Sequence, residues 1–184
     1  LPAEIKRTQR KCGSFAVVMM DIDAFKPIND VHGHAAGDRV LKRFSSFLRK
    51  NSRESDILAR LGGDEFVAVL PDTGEKGTEA FARKLLRRLP EERFRVGDTD
   101  LDVKTSLGIA CYSPGKTADI GITGQPLLDR ADRALMQAKS RGGNTFSIRD
   151  RRTRAGGQNP LPEKKKIESM KKKIRGLVRR NEES

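Results

Sequence analysis

Two glycines between two strand-like segments constrain this chain more than any other feature. Residues 56–61 carry several aliphatic side chains, and residues 66–70 form an almost continuous apolar segment typical of a buried central strand. Gly62 and Gly63 lie between these segments, where a glycine pair predicts a β-hairpin turn. Because glycine has no side chain and accepts positive φ angles, a phosphate-sized ligand can approach such a turn closely. The pattern therefore predicts a hairpin whose tip is open to a ligand.

Two adjacent carboxylates, Asp64 and Glu65, follow the glycine pair directly. Hard oxygen ligands of this type suit Mg²⁺, which proteins usually bind through one or two carboxylates together with substrate phosphates. For an isolated Gly-Gly-Asp-Glu sequence, an ordinary solvated hairpin turn would be the better explanation. The sequence upstream of this turn is needed to distinguish the two interpretations.

A second acidic pair follows the apolar segment at residues 15–20. Asp21 and Asp23 are two residues apart, so on an extended strand their side chains point to the same face, whereas Ile22 points to the other face. A strand that ends in acidic residues is a recurring way to hold a metal ion at the edge of a sheet. Strand register alone leaves open which of the two aspartates binds the metal.

Several motifs together resemble the catalytic domain of diguanylate cyclases, the GGDEF family. They are D-I-D-A-F-K-P-I-N-D-V-H-G-H-A-A-G-D at residues 21–38 and G-G-D-E-F at residues 62–66, and the resemblance extends over residues 14–148. It implies an α/β (α+β) fold, in which a central, mostly antiparallel mixed sheet is flanked by helices. That fold is similar to the palm-like core of adenylyl cyclases and polymerases.

The resemblance implies a metal site made by both acidic motifs. Asp21 would supply the first metal carboxylate, Ile22 its backbone carbonyl, and Asp64 the second carboxylate. These groups would hold two Mg²⁺ ions, with Mn²⁺ as an alternative. Glu65 would act as a further metal ligand or as the base for the attacking hydroxyl.

The resemblance also implies a site for GTP. Asn29 and Asp38 would bind the guanine edge, and a carboxylate there favours GTP over ATP because it can accept from both the ring N–H and the exocyclic amine. Lys26 would lie near the terminal phosphates, and Lys139 would contact phosphate from the end of a helix. The remaining substrate contacts would come from the two turns, at Ala24, Phe25, Gly62 and Gly63.

The implied reaction joins two molecules of GTP. The 3′-hydroxyl of one GTP attacks the α-phosphate of the other and expels pyrophosphate, so the protein mainly aligns the reacting atoms and neutralises charge. Each domain of the family holds one nucleotide. Synthesis of cyclic di-GMP (c-di-GMP) therefore requires two domains face to face, which implies a catalytic homodimer.

A second site is implied by Arg53-Glu54-Ser55-Asp56, which has the R-x-x-D form at the spacing of the family's inhibitory product site. An arginine fork can hold guanine or phosphate, and an aspartate can accept from guanine N–H groups. Lys84 lies where many relatives have a second arginine; it keeps the charge but lacks the fork. An isolated R-x-x-D sequence would indicate only a surface ion pair.

Two departures from the family pattern bear on these roles. The segment D-x-L-T-G-L-x-N-R, which in relatives precedes the first helix and joins the domain to a sensor, is absent from residues 1–13. Gly143 stands where an arginine often contacts phosphate, and Arg141 is the candidate replacement. Two alternatives therefore stay open: a catalytically silent receptor that binds c-di-GMP or GTP, and an adaptor that binds membranes or nucleic acid through its basic tail.

The chain is strongly basic, with a net charge of +13, and most of that excess lies in residues 149–184. We expect a GGDEF domain at residues 1–148, a flexible basic linker at 149–162 and a basic, helical tail at 163–184. With two cysteines, no signal peptide and no apolar stretch near the roughly 20 residues that span a membrane, we expect a cytoplasmic domain with an upstream sensor as a partner.

The pattern of apolar residues and turn signals predicts the order of elements in the domain. We expect strands at 14–22 and 144–148, a strand pair at 92–97 and 101–111 split by Gly97-Asp98, a hairpin at 56–70, and helices at 25–31, 36–51, 75–89 and 125–140.

Overall fold

The computed structural model describes residues 13–112 and 124–148. Its strands are β1 (Phe15–Asp23), β2 (Ile57–Gly62), β3 (Glu65–Leu70), β4 (Phe94–Val96), β5 (Thr99–Leu101), β6 (Lys104–Tyr112) and β7 (Phe146–Ile148). Five of them form one sheet in the order β2-β3-β1-β6-β7. Neighbouring strands are antiparallel except β6 and β7, which are parallel. This confirms the predicted mixed, mostly antiparallel sheet.

Helices cover both faces of this sheet. They are α1 (Phe25–His32), α2 (His34–Lys50), α3 (Glu75–Arg88) and α4 (Gly124–Ser140). The even-numbered residues of β1 pack in the cluster that contains α2 and α3, and its odd-numbered residues pack against α4. Residues 15–22 are all buried, which explains why the β1 sequence is continuously apolar until its acidic end.

The predicted pairing of strands 92–97 and 101–111 is wrong. Strands β4 and β5 form a separate two-stranded sheet around a turn at Gly97, whose φ is +60°. Strand β6 instead lies beside β1 in the central sheet. The β4–β5 pairing involves only three residues of each strand. The apolar residues of β6 are buried far more extensively beside β1 than they would be beside β4.

Helix α4 lies unusually close to β6, and a glycine makes this approach possible. A Cβ atom at Gly108 would lie 2.1 Å from both the Ala131 carbonyl oxygen and the Leu135 amide nitrogen. These are backbone atoms, so only glycine fits without moving the helix. The contact fixes α4 against the sheet and holds Lys139, in the last turn of the helix, near the acidic end of β1.

The remaining predicted helices and strands are confirmed to within a few residues, although α2 begins at His34 because only Gly33 separates it from α1. No helix in the described ranges is both long and apolar enough to cross a membrane. The predicted linker at 149–162 and tail at 163–184 lie outside the described residues.

Candidate functional site

The two acidic motifs meet at one edge of the central sheet. Strand register pairs Asp21 of β1 with Glu65 of β3, and the Ile22 amide donates to the Asp64 carbonyl oxygen at 3.3 Å. Paired residues on antiparallel strands have Cα atoms about 5 Å apart. The structure therefore brings together four of the residues that the sequence assigns to a metal site.

Asp21 is a buried carboxylate held by a lysine. Only 5% of the residue is exposed, and its Oδ1 lies 2.7 Å from Lys139 Nζ. Burial raises the pKa of Asp21 to about 6; Lys139 opposes this rise, and the charges of Asp64 and Glu65 add to it. The site therefore favours a cation at this carboxylate whenever Asp21 is ionised.

Asp23, two residues further along β1, is engaged in structural hydrogen bonds. Ser106 Oγ donates to Asp23 Oδ1 at 2.7 Å, and the Asn144 amide donates to Asp23 Oδ2 at 2.8 Å. These contacts join β1 to β6 and to the turn between α4 and β7. Strand register left open whether Asp21 or Asp23 is the candidate metal ligand. The structure favours Asp21, because Asp21 is the aspartate that lies near Asp64 and Glu65.

The same turn explains the glycine that replaces an arginine. Gly143 has a φ of +73°, and a Cβ atom there would lie 3.0 Å from Asp23 Oδ2. A side chain at this position would be strained and would press on the Asp23 carboxylate. Arg141, the candidate replacement, is exposed in the same turn.

The glycine turn at the hairpin tip is open and braced by an arginine. Gly63 has a φ of +53°, and nothing lies within 4 Å of where its Cβ would be. Gly62 ends β2 next to a register shift, and Arg60 Nε donates to the Gly63 carbonyl oxygen at 2.8 Å. Arg60 was not among the site residues predicted from the sequence, where its only signal was its position three residues before the second glycine.

Helix α1 begins directly after β1, next to the acidic edge. Ala24 turns the chain through a left-handed conformation with a φ of +54°, and no side chain caps the helix. Phe25 is buried, and Lys26 is exposed beside it. The first amides of a helix have no partners within that helix, so this terminus presents donors and an exposed lysine on the side where a phosphate is expected.

The predicted guanine-binding residues lie at the junction of α1 and α2. A Cβ atom at Gly37 would lie 2.0 Å from Asn29 Oδ1, so the Asn29 side chain lies directly against the α2 backbone. Asp38 is the next residue of α2 and is exposed. The glycine therefore lets Asn29 approach the α2 backbone one residue before Asp38.

The predicted product-binding residues line a separate cavity of about 190 Å³. The Arg53 amide donates to Asp56 Oδ2 at 2.8 Å, and the other oxygen, Oδ1, is buried without a hydrogen-bond partner. Lys84 Nζ donates to the Asn51 carbonyl oxygen, and burial together with the charge of Arg88 lowers the pKa of Lys84. The structure thus brings Arg53, Asp56 and Lys84 together around one cavity, where Asp56 Oδ1 has no hydrogen-bond partner.

The donor set at the acidic edge fits a divalent cation. Its carboxylates are hard oxygen ligands, and the Lys139 ammonium already occupies a cation position at Asp21. Within the described part of the chain, no three acidic, histidine or cysteine side chains are close enough together to enclose a metal ion. A Mg²⁺ ion at Asp21 would therefore take further ligands from phosphate and water, as this ion usually does.

Comparison with known proteins agrees with this geometry. A family model described as "Diguanylate cyclase, GGDEF domain" matches residues 1–145. The curated relative diguanylate cyclase DgcP of Pseudomonas aeruginosa is 34% identical over 148 residues, which is 80% of this chain and 21% of that protein. The chain spans 21%, 23% and 38% of the lengths of the first three curated relatives it matches.

Solved structures match most of the chain as well. The active GGEEF domain of a diguanylate cyclase from Vibrio cholerae has a TM-score of 0.71 and 27% identity, covering 81% of this chain and 92% of that one. The GGDEF domain of DgcB from Caulobacter crescentus in complex with c-di-GMP has a TM-score of 0.72 and 25% identity, covering 80% and 82%. From its sequence, its sheet and these matches, the chain belongs to the diguanylate cyclase GGDEF-domain family.

Proposed function

We propose that this domain condenses two molecules of GTP into c-di-GMP and pyrophosphate. The observation that carries the proposal is the buried Asp21 carboxylate, which is paired with Lys139 and aligned by strand register with Glu65. A purely structural ion pair would not need two further carboxylates at the same edge, where their charges make ionisation of Asp21 harder. Such an arrangement suits a site that receives a strongly positive ligand.

Asp21, Asp64, Glu65 and the Ile22 carbonyl would hold the divalent cations, with Mg²⁺ as the expected metal. Bound there, the metal would neutralise charge on the phosphates and on the attacking oxygen. Lys26 and the uncapped start of α1 would hold the terminal phosphates, and Lys139 would approach them from α4. Glu65 is the candidate acceptor for the proton of the 3′-hydroxyl.

Specificity for GTP would come from the α1–α2 junction. Asn29 is fixed against Gly37, so its amide is held in one position before the base arrives. The exposed Asp38 carboxylate can accept from the ring N–H and the exocyclic amine of guanine, a pair of donors that adenine lacks. This predicts a large preference for GTP over ATP.

Two domains would cooperate in each turnover, because one domain holds one nucleotide. Activity per molecule should therefore increase with protein concentration. The decisive experiment incubates the purified protein with GTP and Mg²⁺ at several concentrations and measures c-di-GMP by chromatography. Glu65→Gln, which keeps the size of the side chain, should abolish product formation while circular dichroism stays unchanged. Absence of product at every concentration, after bound nucleotide has been removed, would refute the proposal.

We also propose that c-di-GMP binds the cavity at Arg53, Asp56 and Lys84 and inhibits the enzyme. The unpartnered Asp56 Oδ1 supports this, because a buried carboxylate oxygen without a donor is unfavourable until a ligand supplies one. The cavity and the glycine turn lie at opposite ends of β2, about 20 Å apart for a strand of this length. Product can thus bind without occupying the substrate site.

The same cavity favours a second candidate function, a receptor that binds c-di-GMP without turning over GTP. The two functions are separated by Arg53→Ala. In an active cyclase this variant should relieve inhibition by product and leave GTP turnover intact. In a receptor it should remove c-di-GMP binding from a protein that forms no product.

A further inference from the structure

We propose that Lys139 is the resident counterion of Asp21, and that a divalent cation binds Asp21 only by displacing the Lys139 ammonium. The displaced lysine would then be free to contact a nucleotide phosphate. This inference rests on the proposed function, because it concerns the same metal site. It adds a competition between an internal cation and the metal, which makes Lys139 an antagonist of metal binding before nucleotide arrives.

The two partners of the ion pair differ in their freedom to move. The Asp21 side chain is 7% exposed and the Lys139 side chain is 44% exposed. Asp21 is fixed in β1, and its carbonyl oxygen accepts a hydrogen bond from Thr105 Oγ1 at 2.8 Å. The buried carboxylate therefore has little room to move, whereas the lysine side chain can rotate and place its ammonium in water.

The backbone that carries Lys139 is held in place. Asp23 accepts hydrogen bonds from Ser106 and from Asn144, just beyond the end of α4, and α4 rests on Gly108 of β6. Exchange of cations at Asp21 therefore needs only a rotamer change of one long side chain. The helix can stay in place while its last lysine changes partner from carboxylate to phosphate.

The ammonium and a metal ion would compete for the Oδ1 oxygen of Asp21. Lys139 Nζ lies 2.7 Å from Oδ1, and Mg²⁺ would bind that oxygen at about 2.0–2.1 Å. The two cations would then lie within a few ångströms of each other in a buried site, where like charges repel strongly.

The first test measures Mn²⁺ affinity without nucleotide, by electron paramagnetic resonance, in the full chain. Lys139→Met should bind Mn²⁺ about tenfold tighter than wild type. Replacing a group that contacts a metal ligand typically changes metal affinity by about 10- to 100-fold, and tenfold is the lower end of that range. Lys104→Met is the charge-matched control, because Lys104 pairs with Asp102 instead, and its affinity should stay at the wild-type value. Lys139→Arg keeps the charge and should bind no tighter than wild type. Equal or weaker binding by Lys139→Met would overturn the inference.

The second test uses wild-type protein only, so that folding of a variant is not in question. Trace acetylation followed by mass spectrometry reports how accessible each lysine amine is. Saturating Mn²⁺ should increase modification of Lys139 severalfold relative to Lys104, and an unchanged ratio would overturn the displacement.

Asp21→Asn separates the inference from the proposed function on which it rests. If Mn²⁺ binding does not weaken in this variant, the proposed metal site itself is refuted. If binding depends on Asp21 but not on removal of Lys139, only the displacement is refuted.

Discussion

Replacing Asp21 with asparagine should change how the stability of the metal-free protein depends on pH. In the folded protein, burial raises the pKa of Asp21 from its ordinary 3.8 to about 6. The folded state thus binds a proton more tightly than the unfolded chain. The stability that this proton contributes is complete below pH 3.8 and is lost as the pH rises through 6. An asparagine side chain has nearly the same shape as aspartate but does not titrate.

The magnitude follows from the two pKa values. A rise of about two units corresponds to about 3 kcal/mol in total. About 2 kcal/mol of it remains at pH 4.5 and almost none at pH 7.5. Urea unfolding in EDTA should therefore show the free energy of unfolding of wild type falling by about 2 kcal/mol relative to Asp21→Asn between these pH values.

The control and the refutation use the same measurement. Asp30→Asn removes a carboxylate from an exposed position of α1 and serves as the matched charge change away from the site. Addition of Mg²⁺ at pH 7.5 should then stabilise wild type but not Asp21→Asn, because only a protein that binds the metal gains from it. If the difference in free energy of unfolding between wild type and Asp21→Asn were independent of pH, the pKa of Asp21 would not be raised in the folded protein. The electrostatic description of the site would then be refuted.

Three further variants, the first with a matched control, test the fold and the two ligand sites. Gly108→Ala should lower the free energy of unfolding by about 3 kcal/mol in urea, because its Cβ would meet backbone atoms of α4 at 2.1 Å; Gly74→Ala, with open space around it, should change it by less than about 1 kcal/mol. Gly37→Ala should displace the Asn29 side chain and raise KM for GTP about tenfold, and a normal melting temperature would separate this effect from unfolding. Asp56→Asn should weaken c-di-GMP binding about tenfold by calorimetry; unchanged affinity would show that the unpartnered oxygen does not receive the ligand.

The features that sequence predicted best are those encoded over short stretches. The glycine turn between two apolar segments specified the hairpin, and the continuous apolar run before Asp21 specified the central strand. Both patterns are local, and the continuous burial of β1 on both faces leaves little freedom in placing it. Helices α1 and α2 were predicted from the same kind of local pattern, although α2 begins two residues earlier than expected.

The features that sequence did not settle depend on partners far away in the chain. Asp23 is occupied by Ser106 and Asn144, which are 83 and 121 residues away. No local pattern could separate its role from that of Asp21, since both side chains share one face of β1. The predicted pairing of segment 92–97 with segment 101–111 failed for a related reason: the turn signal at Gly97 shows that the chain reverses, but not that β6 pairs with β1 instead.

The position of Asp21 in the sheet explains why its carboxylate has different partners from that of Asp23. Two residues nearer the end of β1, Asp23 is reached by backbone and hydroxyl donors, which satisfy a carboxylate without competing for it. At Asp21 the partners in this structure are a proton or the Lys139 ammonium, and in the proposed function a metal ion would compete with both for the same carboxylate. The proton leaves as the pH rises above about 6, and the helix that carries Lys139 is fixed against β6. On the proposed displacement, the metal ion would replace only the flexible lysine side chain, so the site would stay folded and neutralised until the metal binds.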